Sequence, residues 1–167
     1  MSISIYNTMT GKQEKFAPRP SQPVTMYVCG VTPYDEVHLG HARVYVAFDV
    51  IRRYLGLSGY QVRYIQNFTD VDDKIIKRAQ ETGVSPRELA QRYIDDYFTQ
   101  MDRLNVTRAD DYPRVTETTP HIIAFIEKLV EKGYAYAVDG DVYYSVRKFP
   151  QYGKLSKHNI EELEAGA

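Results

Sequence analysis

The sequence predicts an α/β fold that contains a parallel β-sheet, and three observations support this prediction. Residues 24–29 form a nearly continuous apolar, β-rich run, which is typical of a buried parallel strand. A helical repeat of apolar residues follows this run, and a second strand pattern follows the helix. Strand, helix and strand within about 45 residues indicate a βαβ unit, and such units have a right-handed crossover in nearly all proteins.

Each element of this unit has its own signal. The first strand ends at Gly30, and the second strand is predicted over residues 60–68, with Val62, Tyr64 and Phe68 on one side. Between them, an amphipathic helix is predicted over residues 40–57, with Arg52 and Arg53 outside its apolar face. That face is expected to contain Val44, Ala47, Phe48, Ile51 and Leu55.

The rest of the chain predicts three further helices and a β-hairpin. Two helices are expected over residues 73–82 and 86–104, and Ser85 is the predicted N-cap of the second. A third helix is expected to end before Gly133. Two strand patterns then flank the dipeptide at 139–140, Asp-Gly, which favours the positive φ of a hairpin turn. The tail from residue 160 resembles an element that has been cut short.

Composition excludes several classes of protein. The 167 residues include 21 basic and 22 acidic side chains, a balance that argues against a protein that coats DNA non-specifically. The hydrophobic content of 43% is too high for a disordered chain. No apolar run is long enough to span a membrane and no secretory signal is present, so we expect a cytoplasmic protein. The single cysteine, Cys29, excludes an intramolecular disulfide and a zinc site of several thiolates.

Residues with useful chemistry concentrate after the first strand, where open α/β sheets bind ligands. His38 and His41 lie three residues apart at the predicted helix start. Both imidazoles should project on one side beside the positive end of the helix dipole, where they could hold phosphate. Gly40 lies between them and would let a flat group such as an adenine ring approach the backbone. The alternative is two solvent-facing histidines on an ordinary helix start.

The motifs around these histidines resemble those of a known family. Residues 26–35 followed by His-Leu-Gly-His at 38–41 resemble the first signature of class I cysteinyl-tRNA synthetases, with Leu39 where that family has Ile. Residues 67–79, 5–8 and 152–156 are similar to other blocks of the family. The resemblance implies the first half of a Rossmann-like catalytic domain over 1–113. It also implies part of a helix-plus-hairpin connective insertion, near the tRNA acceptor end, over 114–167.

This resemblance implies a function in protein synthesis. The family activates cysteine with ATP and Mg²⁺ to give cysteinyl-adenylate, and then transfers the aminoacyl group to tRNA(Cys). His38 and His41 would bind the ATP phosphates and stabilise charge on the α-phosphate, and Gly40 would contact adenine. The pocket for cysteine or its adenylate would be lined by Gly30, Thr32, Asn67 and Thr69. We expect a monomer with no membrane partner.

The resemblance also implies a role for Cys29 as one ligand of a zinc ion that binds the substrate thiolate. Zinc strongly prefers a thiolate to a hydroxyl, whereas pocket shape alone separates cysteine from serine poorly. Zinc needs about four ligands, and the family's other ligands lie beyond residue 167. We therefore expect that this chain alone neither forms cysteinyl-adenylate at a useful rate nor retains zinc tightly. The alternative role for Cys29 is that of a small buried hydrophobe.

Three other features favour structural interpretations. The aspartates at 70, 72 and 73 suggest helix capping and local charge balance rather than a metal triad. The segment 154–158, Lys-Leu-Ser-Lys-His, is superficially similar to the second class I signature, but its position favours the connective insertion. The tyrosines around 134–144 favour hairpin packing over stacking on nucleotides.

Two alternative functions remain open from the sequence. One is the related cysteine ligase of mycothiol biosynthesis, which carries a Pro after the Asp-Asp pair and a Thr near the helix start. This sequence has Lys74 and Val44 at those places, which favours the tRNA enzyme. The other is a non-catalytic module that binds nucleotide or RNA.

Overall fold

The computed structural model describes residues 3–160. The chain divides into two units, Pro18–Thr119 and a second unit that joins Met1–Ala17 with Pro120–Ala167. The elements in chain order are β1 (Ser4–Asn7), β2 (Lys12–Lys15), β3 (Val24–Val28), α1 (Leu39–Leu57), β4 (Val62–Gln66), α2 (Asp73–Thr82), α3 (Pro86–Arg103), α4 (Val115–Glu131), β5 (Ala135–Val138) and β6 (Asp141–Tyr144). None of the helices among these residues is long and apolar enough to cross a membrane. The element expected in the tail lies almost entirely outside the described residues.

The predicted βαβ unit is present in the unit Pro18–Thr119. Strands β3 and β4 pair in parallel, with Val24 opposite Val62 and Val28 opposite Gln66, and α1 connects them. Val28 of β3 is buried and Tyr27 is exposed, so the expectation of a buried strand holds for one face of β3 only. Because parallel strands end at the same edge of a sheet, the residues that follow β3 and β4 lie close together.

An extended segment over 110–114 lies beside β4 and was not predicted. The N–H of Gln66 donates to the carbonyl of Asp111 (3.1 Å), and the N–H of Phe68 donates to the carbonyl of Pro113 (3.0 Å). The pairing is parallel. The segment reads Asp-Asp-Tyr-Pro-Arg, which has no alternation of apolar and polar residues. Its extended form depends on pairing with a strand about 45 residues away.

The core of this unit is aromatic and draws on β3, β4, α1 and α3. The Phe68 ring packs edge-on against Tyr97 and Phe98 and stacks on Tyr112. The buried amide of Gln66 donates from Nε2 to the hydroxyl of Tyr97 (2.7 Å). Burial raises the pKa of Tyr97, so this hydroxyl stays neutral at physiological pH. The residues of the cluster are Val28, Val31, Tyr45, Tyr64, Phe68, Ile94, Tyr97 and Met101.

The buried face of α1 differs from the predicted one. Three residues of the predicted apolar face are exposed: Val44, Ala47 and Ile51. Asp49 is buried instead and accepts a hydrogen bond from the N–H of Thr107 (3.2 Å). The Arg52 side chain, predicted to lie off the face, is only 16% exposed and pairs with Asp110 (2.9 Å). A buried carboxylate needs hydrogen-bond partners, and Asp49 finds one at Thr107. The contacts of Asp49 and Arg52 with residues 107–110 therefore set the rotation of α1 about its own axis.

The helix starts confirm the capping interpretation. The Ser85 hydroxyl accepts from the N–H of Glu88 (3.2 Å) at the start of α3, and Asp72 caps α2 with its side chain. Asp70 acts over a longer distance, because its carboxylate accepts from the N–H of Thr116 (3.0 Å) in the first turn of α4. Each contact satisfies a helix N–H that has no partner within the helix.

The second unit contains two antiparallel hairpins. One joins β1 and β2 and was not predicted, while the other joins β5 and β6 as predicted. Asp139 and Gly140 both have positive φ, at 52° and 95°, which is the backbone form that this two-residue turn requires. Tyr136 and Tyr143 lie opposite each other and their rings stack at 5.9 Å. These two tyrosines therefore pack on each other across the strands.

Candidate active site

Polar contacts hold the ends of β3 and β4 together at the edge where the predicted site residues lie. The N–H of Gly30 donates to Oδ1 of Asn67 (2.9 Å), and Nδ2 of Asn67 donates to the hydroxyl of Thr69 (3.3 Å). The N–H of Thr69 donates to the carbonyl of Val31 (3.1 Å). Three of the predicted pocket residues are thus brought together. The Asn67 amide fixes the two strand ends relative to each other.

Gly30 has no room for a side chain. A Cβ added to it would lie 1.4 Å from the backbone oxygen of Asn67 and 2.6 Å from the carbonyl carbon. Both atoms belong to the backbone of the neighbouring strand end, which cannot move without breaking the pairing of β3 with β4. Glycine is therefore required at position 30 by close backbone approach.

His38 and His41 form the N-terminal cap of α1. The N–H of Gly40 donates to Nδ1 of His38 (3.0 Å), and the N–H of His38 donates to Nδ1 of His41 (3.1 Å). The two rings stack with their centroids 4.0 Å apart. This reciprocal arrangement is a capping box built from two histidines. It confirms that both imidazoles project on one side of the helix start.

Gly40 has a structural role in this cap. A Cβ at this position would lie 2.8 Å from Cε1 and 2.9 Å from Nδ1 of His38. The absence of a side chain therefore leaves space for the His38 ring to fold back over the backbone. The contact with adenine that the resemblance implies for Gly40 stays a prediction.

The cap fixes the tautomer of both rings. A ring nitrogen that accepts a backbone hydrogen bond carries no proton, so each neutral ring holds its proton on Nε2. Burial and the neighbouring His38 both lower the pKa of His41, burial being the larger cause. The neutral form of His41 is therefore favoured, and the pair can offer two Nε2–H donors to a ligand beside the positive end of α1. No acidic residue lies in the first turn of α1.

This lowered pKa predicts that the cap is lost in acid. His41 has a lower pKa in the folded chain than its ordinary value of 6.5, so the unfolded chain binds more protons in that range. The contribution of His41 to stability is complete above pH 6.5 and is lost as pH falls through the lowered pKa. We expect the free energy of unfolding to fall over this range of pH, as measured by urea denaturation at neutral and mildly acidic pH.

The matched variants for this test are His41→Asn and His121→Asn. His121 is exposed on α4, so its replacement should leave the pH dependence unchanged, whereas His41→Asn should reduce it. Equal pH dependence in wild type and His41→Asn would contradict the role of His41 in the cap.

A pocket of about 360 Å³ lies between the strand ends and the start of α1. This volume is within the range of sites for small ligands. Four of the predicted residues line it, namely Gly30, Thr32, His38 and His41, whereas Cys29, Gly40, Asn67 and Thr69 do not. The full lining is Gly30, Val31, Thr32, Tyr34, Asp35, Glu36, His38, His41 and Lys74.

The sequence interpretation missed four polar residues of this pocket: Tyr34, Asp35, Glu36 and Lys74. The first three lie in the loop between the strand end and the helix, so their position after a parallel strand was an available signal. Lys74 was not identifiable in this way, because it reaches the pocket from α2. Its ammonium lies 5.5 Å from the centre of the Tyr34 ring.

Cys29 follows β3 directly and is exposed. Its carbonyl accepts from the Tyr45 hydroxyl (3.3 Å). Because the thiol is exposed, the alternative of a small buried hydrophobe is wrong. Within residues 3–160, no group of three or more His, Cys, Asp or Glu side chains could hold a metal. One thiol does not meet the four-ligand requirement of zinc, so the described residues do not form a zinc site.

Comparison with known proteins shows a consistent likeness. Residues 15–167 match the family model of the tRNA synthetases class I (C) catalytic domain. The chain is 59% identical to a cysteine–tRNA ligase of Endomicrobium trichonymphae, with 100% of this chain and 36% of that protein covered. For the cysteine–tRNA ligase of Gloeobacter violaceus the identity is 58%, with 100% and 35% covered. The ligase of Methanococcus maripaludis is 54% identical, with 99% and 35% covered.

Solved structures give the same fold. Methionyl-tRNA synthetase of Mycobacterium tuberculosis in complex with methionyl-adenylate superposes with a TM-score of 0.60 at 27% identity, covering 68% of this chain and 23% of that chain. A second structure of that enzyme bound by methionyl-adenylate gives 0.61 at 22% identity, covering 74% and 29%, and shows the fold alone. These likenesses confirm the predicted α/β, Rossmann-like fold class. The chain spans about a third of the length of the curated relatives.

Proposed function

The chain belongs to the family of class I (C) tRNA synthetase catalytic domains, and from this membership we propose that it takes part in the activation of cysteine with ATP for attachment to tRNA(Cys). The observation that carries the proposal is the His38–His41 cap. It aligns two neutral Nε2–H donors beside a helix N-terminus at a pocket of about 360 Å³. Donors held in place before the reaction stabilise developing charge without reorganisation.

In the proposed reaction the carboxylate oxygen of cysteine attacks the α-phosphorus of ATP. A new P–O bond forms, the P–O bond to the β-phosphate breaks, and pyrophosphate leaves with the electron pair. His38 and His41 would donate to the phosphate oxygens on which charge accumulates. They act as hydrogen-bond donors through Nε2, because each Nδ1 accepts from a backbone N–H. Rate enhancement comes from position and charge stabilisation.

The distribution of charge in the pocket suggests how the substrates are oriented. Asp35 and Glu36 line the same pocket as the histidines. Phosphate groups suit the side with the histidines and the N-terminus of α1, whereas the ammonium group of cysteine suits the two carboxylates. Thr32 would supply a neutral polar contact between the histidine side and the carboxylate side of the pocket. The proposed adenine contact of Gly40 and the substrate contacts of Gly30, Asn67 and Thr69 rest on the family resemblance.

Cys29 is proposed as a ligand of zinc in the longer family members. The metal would hold the substrate thiolate, and three further ligands are needed, none of which gathers around Cys29 in the described residues. The monomeric state, the cytoplasmic location and the division into a catalytic part over 1–113 and a connective insertion over 114–167 stay predictions.

The proposed function is tested by cysteine-dependent ATP–pyrophosphate exchange. The purified 167-residue chain should show no exchange above the blank, because one thiol does not supply the four or so ligands that zinc needs. A chimera in which this chain replaces the matching segment of the Endomicrobium trichonymphae ligase should show exchange. In that chimera, His41→Asn should lower the rate by about 100-fold to 1,000-fold, the range for loss of one charge-stabilising donor.

The matched control in the chimera is His121→Asn, since His121 is exposed on α4. Unchanged exchange in His41→Asn would remove His41 from the reaction, and a chimera without exchange that is folded would contradict the proposed function. Robust exchange by the isolated chain that is abolished by Cys29→Ser would overturn the expectation that it needs further residues.

The cysteine ligase of mycothiol biosynthesis is not favoured. All the curated relatives described above are named cysteine–tRNA ligases, at 54–59% identity. Lys74, where that ligase carries a Pro, is the residue that α2 contributes to the pocket.

A further inference from the structure

Asp70 lies directly after the polar end of β4, and we propose that it is a positioning residue for the candidate active site. The proposal rests on the proposed function and adds a residue to it. Asp70 follows Thr69 in the chain, is 8% exposed and does not line the active-site pocket. It therefore acts on the substrates through Thr69 and not by contact with them.

The end of β4 forms hydrogen bonds on both of its sides. On one side, the N–H of Thr69 donates to the carbonyl of Val31 (3.1 Å), a residue that lines the active-site pocket. On the other side, the N–H of Phe68 donates to the carbonyl of Pro113 (3.0 Å), and the N–H of Val115 donates to the carbonyl of Phe68 (3.3 Å). Thr69 therefore lies between the pocket edge and the segment that leads into α4.

The side chain of Asp70 continues this second row of hydrogen bonds beyond Val115. One carboxylate oxygen accepts from the N–H of Thr116 (3.0 Å), and the other accepts from the Thr116 hydroxyl (2.5 Å). Among residues 3–160, no basic side chain forms an ion pair with Asp70. Because a buried carboxylate needs partners, Thr116 and the positive end of the α4 dipole hold Asp70 in place.

The separation along the chain distinguishes this contact from the other helix caps. Asp72 and Ser85, which cap α2 and α3, immediately precede their helices, whereas Asp70 caps α4 from 46 residues away. A local side chain is enough to satisfy a helix N–H. The long-range contact also fixes the end of β4 to the start of α4, so it limits the movement of Thr69 relative to Val31. Residues that contact a substrate need such support to keep their geometry.

The proposal predicts a selective effect on the reaction with cysteine. Thr69 is one of the residues that the family resemblance assigns to cysteine or its adenylate. In contrast, His38 and His41 are held by hydrogen bonds within residues 38–41. Loss of the contact between Asp70 and Thr116 should therefore raise the KM for cysteine more than the KM for ATP.

The first test is Thr116→Val in the chimera described above, because valine keeps the branched shape and lacks the hydroxyl. Since a hydrogen bond to a charged group is lost, the KM for cysteine should rise by about fivefold or more, and the KM for ATP by less than about twofold. Thr116→Ser keeps a hydroxyl and should restore the wild-type values. The matched control is Thr119→Val, since the Thr119 hydroxyl donates to the carbonyl of Val115 (2.9 Å) within α4.

The second test follows Thr69 in the 167-residue chain without any need for activity. Hydrogen exchange of the Thr69 N–H, measured by NMR, should be about tenfold faster in Thr116→Val, because local opening of the strand end becomes easier. The reference is the N–H of Val24, which donates to the carbonyl of Gln61 (2.8 Å) at the opposite end of the sheet. A merely structural role would accelerate both amides equally. Thr119→Val should leave their ratio as in the wild type.

Three results would overturn the proposal: a Thr69 N–H that exchanges at the wild-type rate in Thr116→Val, equal acceleration of the Thr69 and Val24 amides, or equal rises in the KM for cysteine and for ATP. Failure of the proposed function is recognised separately. In that case the folded chimera without further substitutions would show no cysteine-dependent exchange, while the Thr69 N–H would still respond to Thr116→Val.

Discussion

Replacement of Gly30 by alanine is expected to lower the free energy of unfolding of the unit Pro18–Thr119 by about 3 kcal/mol or more. This is at or above the upper end of the usual cost of overpacking. The added Cβ would lie 1.4 Å from the backbone oxygen of Asn67, a distance at which non-bonded atoms cannot remain. One strand end must move, and the hydrogen bond from the Gly30 N–H to the Asn67 amide is lost with it. Urea denaturation followed by far-UV circular dichroism measures this change.

Gly56→Ala is the matched control for this substitution. Gly56 lies in α1, and a Cβ there would meet nothing within 4 Å. Because alanine favours a helix over glycine by about 1 kcal/mol, this variant should be slightly more stable than the wild type. A Gly30→Ala chain as stable as the wild type would show that the two strand ends can separate without cost, contrary to the packing described above.

Replacement of Phe68 by alanine is expected to cost about 3–5 kcal/mol, the range for removal of a buried aromatic side chain. Phe68 is 1% exposed and contacts the rings of Tyr97, Phe98 and Tyr112. It also lies between Asn67 and Thr69, so the cavity left behind would loosen the strand end that carries both polar residues. Binding of ATP to the candidate site should weaken in parallel with the loss of stability.

Phe125→Ala provides the comparison for Phe68→Ala. Phe125 is 63% exposed on α4, so its removal should change the free energy of unfolding by less than about 0.5 kcal/mol. Similar unfolding midpoints for the two variants would contradict the placement of Phe68 at the centre of the aromatic core.

The contacts of Gly30 and Phe68 show why the geometry of the candidate site depends on both β3 and β4. Gly30 and Asn67 follow different strands and are 37 residues apart in the sequence, yet one hydrogen bond joins them. The parallel pairing of β3 with β4 brings them to the same edge. The histidine cap begins a few residues after Gly30, so a displacement of this edge would also displace the donors that face the pocket.

Local signals accounted for most of the secondary structure. The N-cap at Ser85 and the Asp-Gly turn at 139–140 were predicted correctly, because each depends on neighbouring residues only. The buried face of α1 was not predicted correctly, since hydrophobic periodicity counts apolar residues, whereas Asp49 is buried beside Thr107, 58 residues away. The strand-like segment at 110–114 was missed for the same reason, because the backbone hydrogen bonds that keep it extended are made to the distant strand end of β4.

The same difference between local signals and long-range contacts applies to the candidate site. The βαβ unit, the position of the candidate site after the first strand and the pairing of His38 with His41 were predictable from residue patterns, because spacing along one helix turn is a local property. The three-dimensional structure was needed to show that both Nδ1 atoms are used by the cap, that Asn67 joins the strand ends and that Lys74 reaches the pocket from α2. The last two features join segments that are remote in the chain, whereas the cap lies within residues 38–41 and depends on side-chain orientations that residue spacing does not specify.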